Sequence, residues 1–325
     1  MPPVLSRTLV ALVGLAAGPT LLGAQGAVDP SITPRAAQLA RIGDRPQATE
    51  MLGRYLATAP DDGTAWLELG QLYLADSREW HRAGHVGEPS GALFLDFAVT
   101  ATDQALRLPT DSASLVRAIL EVERGASAIE VNGWKAVHAS FAIAASAAPP
   151  PFVAEMGQNL VNSCPMGGVL VTGSDLEAAG VWSVVFQRHR RGDLLLVLAT
   201  RFAGDSIYRR EMSQALEVPD GETTRMALAS AAARRPVCLS PGTDTTYDPD
   251  GAFTAIRLVR VTGLAAAEAA DPLSVAELLD ASYRRSDALT AEVLGLYRRA
   301  ARANPLLCTS LLAPLGATGR DGCGR

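Results

Sequence analysis

Lysine is almost missing from this chain: Lys135 is the only one, set against abundant arginine and alanine. That skew reads as GC-rich coding bias and not as function. A basic surplus is missing too. The net charge of -5 and the pI near 5.5 argue against nucleic acid as the main partner, because phosphate backbones require a basic face. No run beyond the N-terminal segment is long and apolar enough to read as a membrane span. The glycine-rich patterns of dinucleotide and phosphate-loop sites are absent, and so are His-Glu-x-x-His and the nucleophile elbow. The cysteine spacings match no zinc pattern. No cofactor, metal or catalytic residue is therefore expected. What is present is a chain of 325 residues, 48% of them hydrophobic, which excludes a disordered chain and suffices for two or three modest domains.

Residues 1–24 read as a secretory signal. Arg7 supplies the positive charge, Leu9 to Leu22 the apolar run, and Gly23-Ala24-Gln25 a small-residue cleavage site. An uncleaved anchor is the open alternative. No cysteine follows the run, which argues against a lipoprotein. Export would make disulfides available to Cys164, Cys238, Cys308 and Cys323. Four cysteines allow three full pairings. The favoured one joins Cys308 to Cys323, stapling a Gly-rich tail onto the last helix, and leaves Cys164 with Cys238.

The first half of the chain has a helical period. Trp66, Leu69, Gly70 and Tyr73 fall at i, i+3, i+4 and i+7 on one helical face. Gly43, Ala48, Leu52 and Pro60 stand where a preceding unit of about 34 residues wants its turn glycine, small packing residue, aliphatic and terminal proline. Residues 34–62 thus form a helical hairpin that turns at Gly43-Asp44, with Pro46 at a first helical position. A helix over 64–76 follows. The segment from Arg78 to Gly91 has no clean period and reads as an insertion. Helicity resumes over 92–108 and again over 111–129.

Ala142 to Pro151 is Ala/Pro-rich and reads as a boundary with a stiff spacer. Beyond it the pattern changes. Residues 168–172 form a short apolar strand, and Gly173-Ser174-Asp175 a turn. Ser174 and Glu177 form a capping box for a helix over 176–190. Arg191-Gly192-Asp193 turns into a second strand over 194–200. A helix over 205–216 and strands over 237–240 and 255–261 complete a strand–helix alternation, which predicts a small parallel sheet. Residues 273–303 return to helix.

On these residues the region 34–110 resembles the tetratricopeptide repeat family. The resemblance implies a right-handed helical array with a concave groove for peptides or proteins. A weaker resemblance covers about 160–263. Gly168 to Asp175, Arg190 to Val197 and Arg235-Pro-Val-Cys238 are similar to the extracytoplasmic tail domain of bacterial protein O-mannosyltransferase-like membrane proteins. This chain departs in its first turn, where Ser174-Asp175-Leu176 replaces an acidic, Asn-containing cluster. It also lacks the multi-span membrane domain, so glycosyl transfer does not carry over.

Among site candidates, Asp175 lies just past a strand's carboxyl end, where α/β sheets place ligands. Gly173 and Ser174 beside it offer an anion cradle; plain helix capping explains the same residues. Trp66, Tyr73, Trp80 and His81 are candidates for a partner-facing surface, because aromatic residues dominate interface hot spots. His81 and His85 stand at i, i+4, but the glycines around them favour a solvated loop over a metal site. Asp248-Pro-Asp250-Gly251 fails as a calcium loop, because Thr246 and Arg257 fall where carboxylates are required. Arg188 to Arg191 reads as basic capping of a helix end.

The expected architecture is an α plus α/β protein. It comprises a signal (1–24), tetratricopeptide-like hairpins (25–130), a helix and linker (131–162), a small parallel α/β domain (163–270) and a C-terminal helical segment (271–325). The expected role is a non-enzymatic periplasmic scaffold or accessory subunit. Its partner would be a protein, with the extracytoplasmic face of a membrane complex as one class, and peripheral membrane association is compatible. The alternative is a carbohydrate-binding or glycosyl-transfer-associated protein using the crevice at Asp175.

Overall fold

The computed structural model describes residues 29–85, 88–108, 110–248, 252–262, 272–284 and 287–315. The expected signal and Cys323 lie outside the described residues, and with Cys323 goes the pairing proposed for Cys308.

The first helices follow their sequence signals. α1 (Ile32–Arg41) ends in a turn at Gly43, whose φ is +91°. The Asp44 carboxylate caps α2 (Arg45–Leu56), accepting from Gln47 N–H. Asp62 caps α3 (Gly63–Arg82) in the same way. Gly70 is the close-contact glycine that its position implied. A β-carbon there would sit 2.6 Å from Thr102 Oγ1 on α4 (Pro89–Ala105), so only glycine lets the two helices approach.

The segment from Arg78 to Gly91 departs from expectation. α3 does not stop near residue 76 but runs on through His81, because Ser77 and His81 continue its buried face. α4 then begins at Pro89.

α5 (Asp111–Ser140) is the spine of the molecule. It kinks at Gly133, where φ is +76°. On one side Val116, Ile119 and Leu120 pack with Leu74, Leu95 and Ala179. On the other, Val122, Ala126 and Ile129 enter the core around the sheet. The Ala/Pro segment expected as a stiff spacer is packed instead. Ile143 and Ala147 are buried in that same core, and Ile143 N–H donates to Phe186 O at 3.2 Å. Pro151 opens α6 (Pro151–Ser163), which is buried on most of its faces.

The strands are β1 (Val169–Thr172), β2 (Leu195–Leu198), β3 (Val237–Leu239), β4 (Thr254–Ile256) and β5 (Val259–Thr262). Their order in the sheet is β2-β1-β3-β5-β4. β1 pairs in parallel with β2 and β3, as the alternation predicted. The wholly parallel sheet is corrected, however: β5 runs antiparallel to both β3 and β4. The single strand expected over 255–261 is two strands. Arg257, at φ +53°, reverses the chain between them. α7 (Asp175–Trp182) follows β1 and ends in a wide turn over 183–187. α8 (Ala199–Gly204), α9 (Ser206–Leu216) and α10 (Thr224–Ala232) separate β2 from β3. α11 (Ala276–Arg284) and α12 (Ala288–Ala303) close the fold.

The Cys164–Cys238 disulfide forms, with the Cα atoms 5.8 Å apart, and joins the end of α6 to β3. Among the described residues no helix is long and apolar enough to cross a membrane.

Candidate functional site

A cavity of about 400 Å³ opens where α3 and α5 meet the carboxyl ends of β1 and β2. Each wall has a local cause. Arg78 and His81 stand one turn apart on the inner face of α3. Glu123 lines it from α5, and Glu130 stands two turns further along the same helix, behind the lining. Arg201 lies on α8, which starts directly after β2. Asp205 is the cap of α9. Ser174 and Asp175 open α7 directly after β1. Val122, Ala178 and Leu198 supply a small apolar floor.

These charges form one network. Arg78 Nε donates to Glu123 Oε1 at 2.6 Å, and Arg78 Nη1 to Asp175 Oδ2 at 2.8 Å. Arg201 donates to both Glu123 and Glu130 and lies 3.6 Å from Asp205 Oδ2. Burial alone would raise the Glu123 pKa. The Arg201 and Arg78 guanidiniums overcome it and hold the carboxyl at about 2. Burial opposes charge on the two guanidiniums as well, and their carboxylates more than compensate, so both pKa values rise. Glu123 is thus a fixed anion clamped between two fixed cations. Tyr208 stands behind the network. Burial pushes its phenol up, and its oxygen accepts from Leu198 N–H at 3.2 Å.

Asp205 is divided between two tasks. Oδ1 accepts from Ile207 and Tyr208 N–H, capping α9. Oδ2 is buried at the cavity wall and makes no hydrogen bond. Asp175 is half exposed at the mouth.

His81 contributes a second chain of contacts. Its Nδ1 lies 2.9 Å from Glu130 Oε2, and its Nε2 lies 3.3 Å from the Ser127 hydroxyl. The order hydroxyl, imidazole, carboxylate has the elements of a nucleophile relay. Ser127, however, sits in the middle of α5, where the backbone N–H groups are committed to the helix's own carbonyls. The helix therefore offers no oxyanion hole beside it.

The sequence-derived candidates separate. Asp175 and Ser174 line the cavity. The anion cradle expected of Gly173 and Ser174 is filled from within: Glu177 Oε2 accepts from both N–H groups, at 3.0 and 3.2 Å. The capping box is formed as expected. His81 is buried in the cavity wall, neither in a solvated loop nor on an outer surface. His85 instead stacks on Trp80, with ring centroids 4.4 Å apart, so the two histidines do not converge. Trp80 folds back onto α4, edge-on to Phe94 at 6.3 Å. Trp66 Nε1 donates to Pro60 O at 2.8 Å, which commits its polar end to the preceding turn. Tyr73 packs on Phe97, with centroids 5.3 Å apart. Arg191 caps a helix, but not its own. It donates to the Val161, Cys164 and Pro165 carbonyls at the end of α6.

Sequence reasoning missed Arg78, Glu123, Glu130, Arg201 and Asp205 as a set. The available signal was two glutamates seven residues apart on an apolar stripe of α5. The chain matches no protein-family model, no curated protein and no solved structure.

Proposed function

We propose that this chain is a non-catalytic extracytoplasmic binding protein that takes a small polyhydroxylated ligand, of saccharide type, in the seam cavity. The observation that carries this reading is the composition of the cavity wall. Asp175, Asp205, Arg78 and Arg201 face a floor of Val122, Ala178 and Leu198. Carboxylates and guanidiniums bind sugar hydroxyls through paired hydrogen bonds, and a small apolar floor suits the C–H face of a ring. A volume of about 400 Å³ is of the size expected for a small-molecule site. The Cys164–Cys238 disulfide supports an oxidising compartment.

The test is calorimetric titration of the purified protein with a panel of mono- and disaccharides. Saturable heat that disappears in Asp175→Ala supports the reading. No heat with any member of the panel sinks it.

A second reading keeps a protein partner on the tetratricopeptide-like helices. Its own observation is that Leu93 and Phe97, one turn apart on α4, are 50% and 43% exposed. Cross-linking in the native envelope followed by mass spectrometry tests it. A stoichiometric protein linked through residues 34–110 supports this reading, and a clean monomer overturns it.

A further inference from the structure

A second cavity, of about 340 Å³, lies beyond the carboxyl end of β3, between the β4–β5 hairpin and the last turns of α12. Four arginines line it, Arg257, Arg260, Arg299 and Arg302, and among the described residues no carboxylate does. In a chain of net charge -5 this is a marked local reversal. The four come from different places. Arg257 is the hairpin turn itself, Arg260 stands on β5, and Arg299 and Arg302 on α12.

Bonds within the fold hold three of the stems. Arg260 donates to Asp248 Oδ2 at 3.1 Å and to Thr243 O at 3.4 Å. Arg299 Nε donates to Pro241 O at 3.2 Å, and Arg257 Nη1 to Asn162 O at 3.1 Å. Carbonyl oxygens satisfy N–H groups but carry no formal charge. Among the described residues Asp248 is the one carboxylate paired with Arg260, Arg299 or Arg302, so these three guanidiniums keep a positive surplus. The C-terminal end of α12 favours Arg302 through the helix dipole, an effect of about half a charge that leaves the surplus in place.

Arg257 adds a further sign. It holds a left-handed φ of +53°, a conformation that glycine or asparagine adopts more readily. From this turn its side chain lines the cavity.

We infer that this arginine-lined cavity binds a phosphate group. Guanidinium forks match tetrahedral oxyanions bidentately, and several converging forks favour a multiply charged anion over a single carboxylate. The site is separate from the seam cavity, sharing no lining residue with it, and stands or falls independently of saccharide binding. The phosphate can be carried by a soluble phosphoester or by a lipid headgroup.

The experiment uses the full chain and two probes. Pyrophosphate is titrated calorimetrically, and vesicles of phosphatidylglycerol or of phosphatidylcholine are tested by co-sedimentation. Arg299 and Arg302 are exposed, so Arg299→Ala/Arg302→Ala should fold normally, which circular dichroism verifies. The control variant is Arg35→Ala/Arg41→Ala, which changes net charge equally at exposed positions on α1, outside the sheet core. The expected result is binding that weakens at least about tenfold in the α12 variant and is unchanged in the control. Binding of pyrophosphate indicates a soluble source. Binding of phosphatidylglycerol vesicles alone, with the same variant sensitivity, indicates a lipid source. Binding of neither probe, or equal loss in both variants, overturns the inference.

Discussion

Gly173 and Gly242 meet backbone to backbone: a β-carbon on Gly173 would sit 2.1 Å from the Gly242 carbonyl carbon. The contact closes the crevice between β1 and β3, where a sheet of this topology has its switch point and would ordinarily open a ligand site. Glu177 completes the closure. Its carboxylate accepts from Gly173 N–H, from Ser240 Oγ at 2.7 Å and from Gly242 N–H at 2.7 Å. The ligand position is filled by the chain's own carboxyl group, whose pKa burial raises against its four hydrogen-bond donors, and the open cavity lies instead between β1 and β2.

Gly173→Ala should therefore destabilise the fold by about 3 kcal/mol, because backbone lies in the way and cannot rotate aside. Chemical denaturation measures this. A loss below about 0.5 kcal/mol would show that the two loops separate freely.

Glu123 makes stability depend on acid. Its folded pKa of about 2 lies below its ordinary 4.5. The sign follows from linkage. The unfolded chain takes up the proton first, so the contribution is fully present above pH 4.5 and is lost as the pH falls toward 2. The size is about 3 kcal/mol. Glu123→Gln should lower stability at pH 7 by a similar amount, since it removes the charge that Arg78 and Arg201 share and leaves them only Asp175, Glu130 and Asp205. It should also flatten the stability curve below pH 4.5. Denaturant titrations at several pH values check both. A variant as acid-sensitive as the wild type would move the effect to another carboxylate.

The Cys164–Cys238 bridge closes a loop with a sequence separation of 74. Loop-closure entropy of that length corresponds to about 4 kcal/mol. Both sulfurs are buried, so reduction should be slow in the folded protein and rapid once it is partly unfolded. Thermal unfolding with and without reductant, and of Cys164→Ala/Cys238→Ala, reads the difference. Equal midpoints would mean that packing alone holds α6 to β3.

How much of this was legible in the sequence depended on separation along the chain. The Ser174–Glu177 capping box and the Gly43-Asp44 turn act across a few residues and showed in the pattern, whereas the Asp44 and Asp62 caps, equally local, were not read from it. Gly70 showed because its helical register is local. The β4–β5 hairpin did not show, because its turn uses Arg257 where an Asn-Gly pair would have signalled reversal. The course of α3 past residue 76 was hidden by glycines and a proline that turn out to lie beyond its end. The seam cavity was the least legible. Arg78, Glu123, Arg201 and Asp205 belong to four elements that meet only when α5 lies between the two halves. Asp175 alone of its charged residues was foreseen, from its place after a strand.

Asp175 and Asp205 divide binding from stability, and their variants should show it. The Asp175–Arg78 pair is partly solvated, with Asp175 48% exposed, so Asp175→Ala should cost no more than about 1 kcal/mol. Asp205→Ala removes the cap of α9 and should cost about 1–2 kcal/mol. Asp205→Asn keeps an oxygen for the cap while removing the charge beside the cavity. If the seam cavity binds a polyhydroxylated ligand, Asp175→Ala and Asp205→Asn should both weaken binding about tenfold or more with the unfolding midpoint nearly unchanged. Asp205→Ala should lower both. Calorimetry and thermal denaturation on the three variants separate the effects. Unchanged binding in Asp205→Asn would take Oδ2 out of the recognition surface and leave Asp175 and Arg78 at the mouth as the contacts that matter.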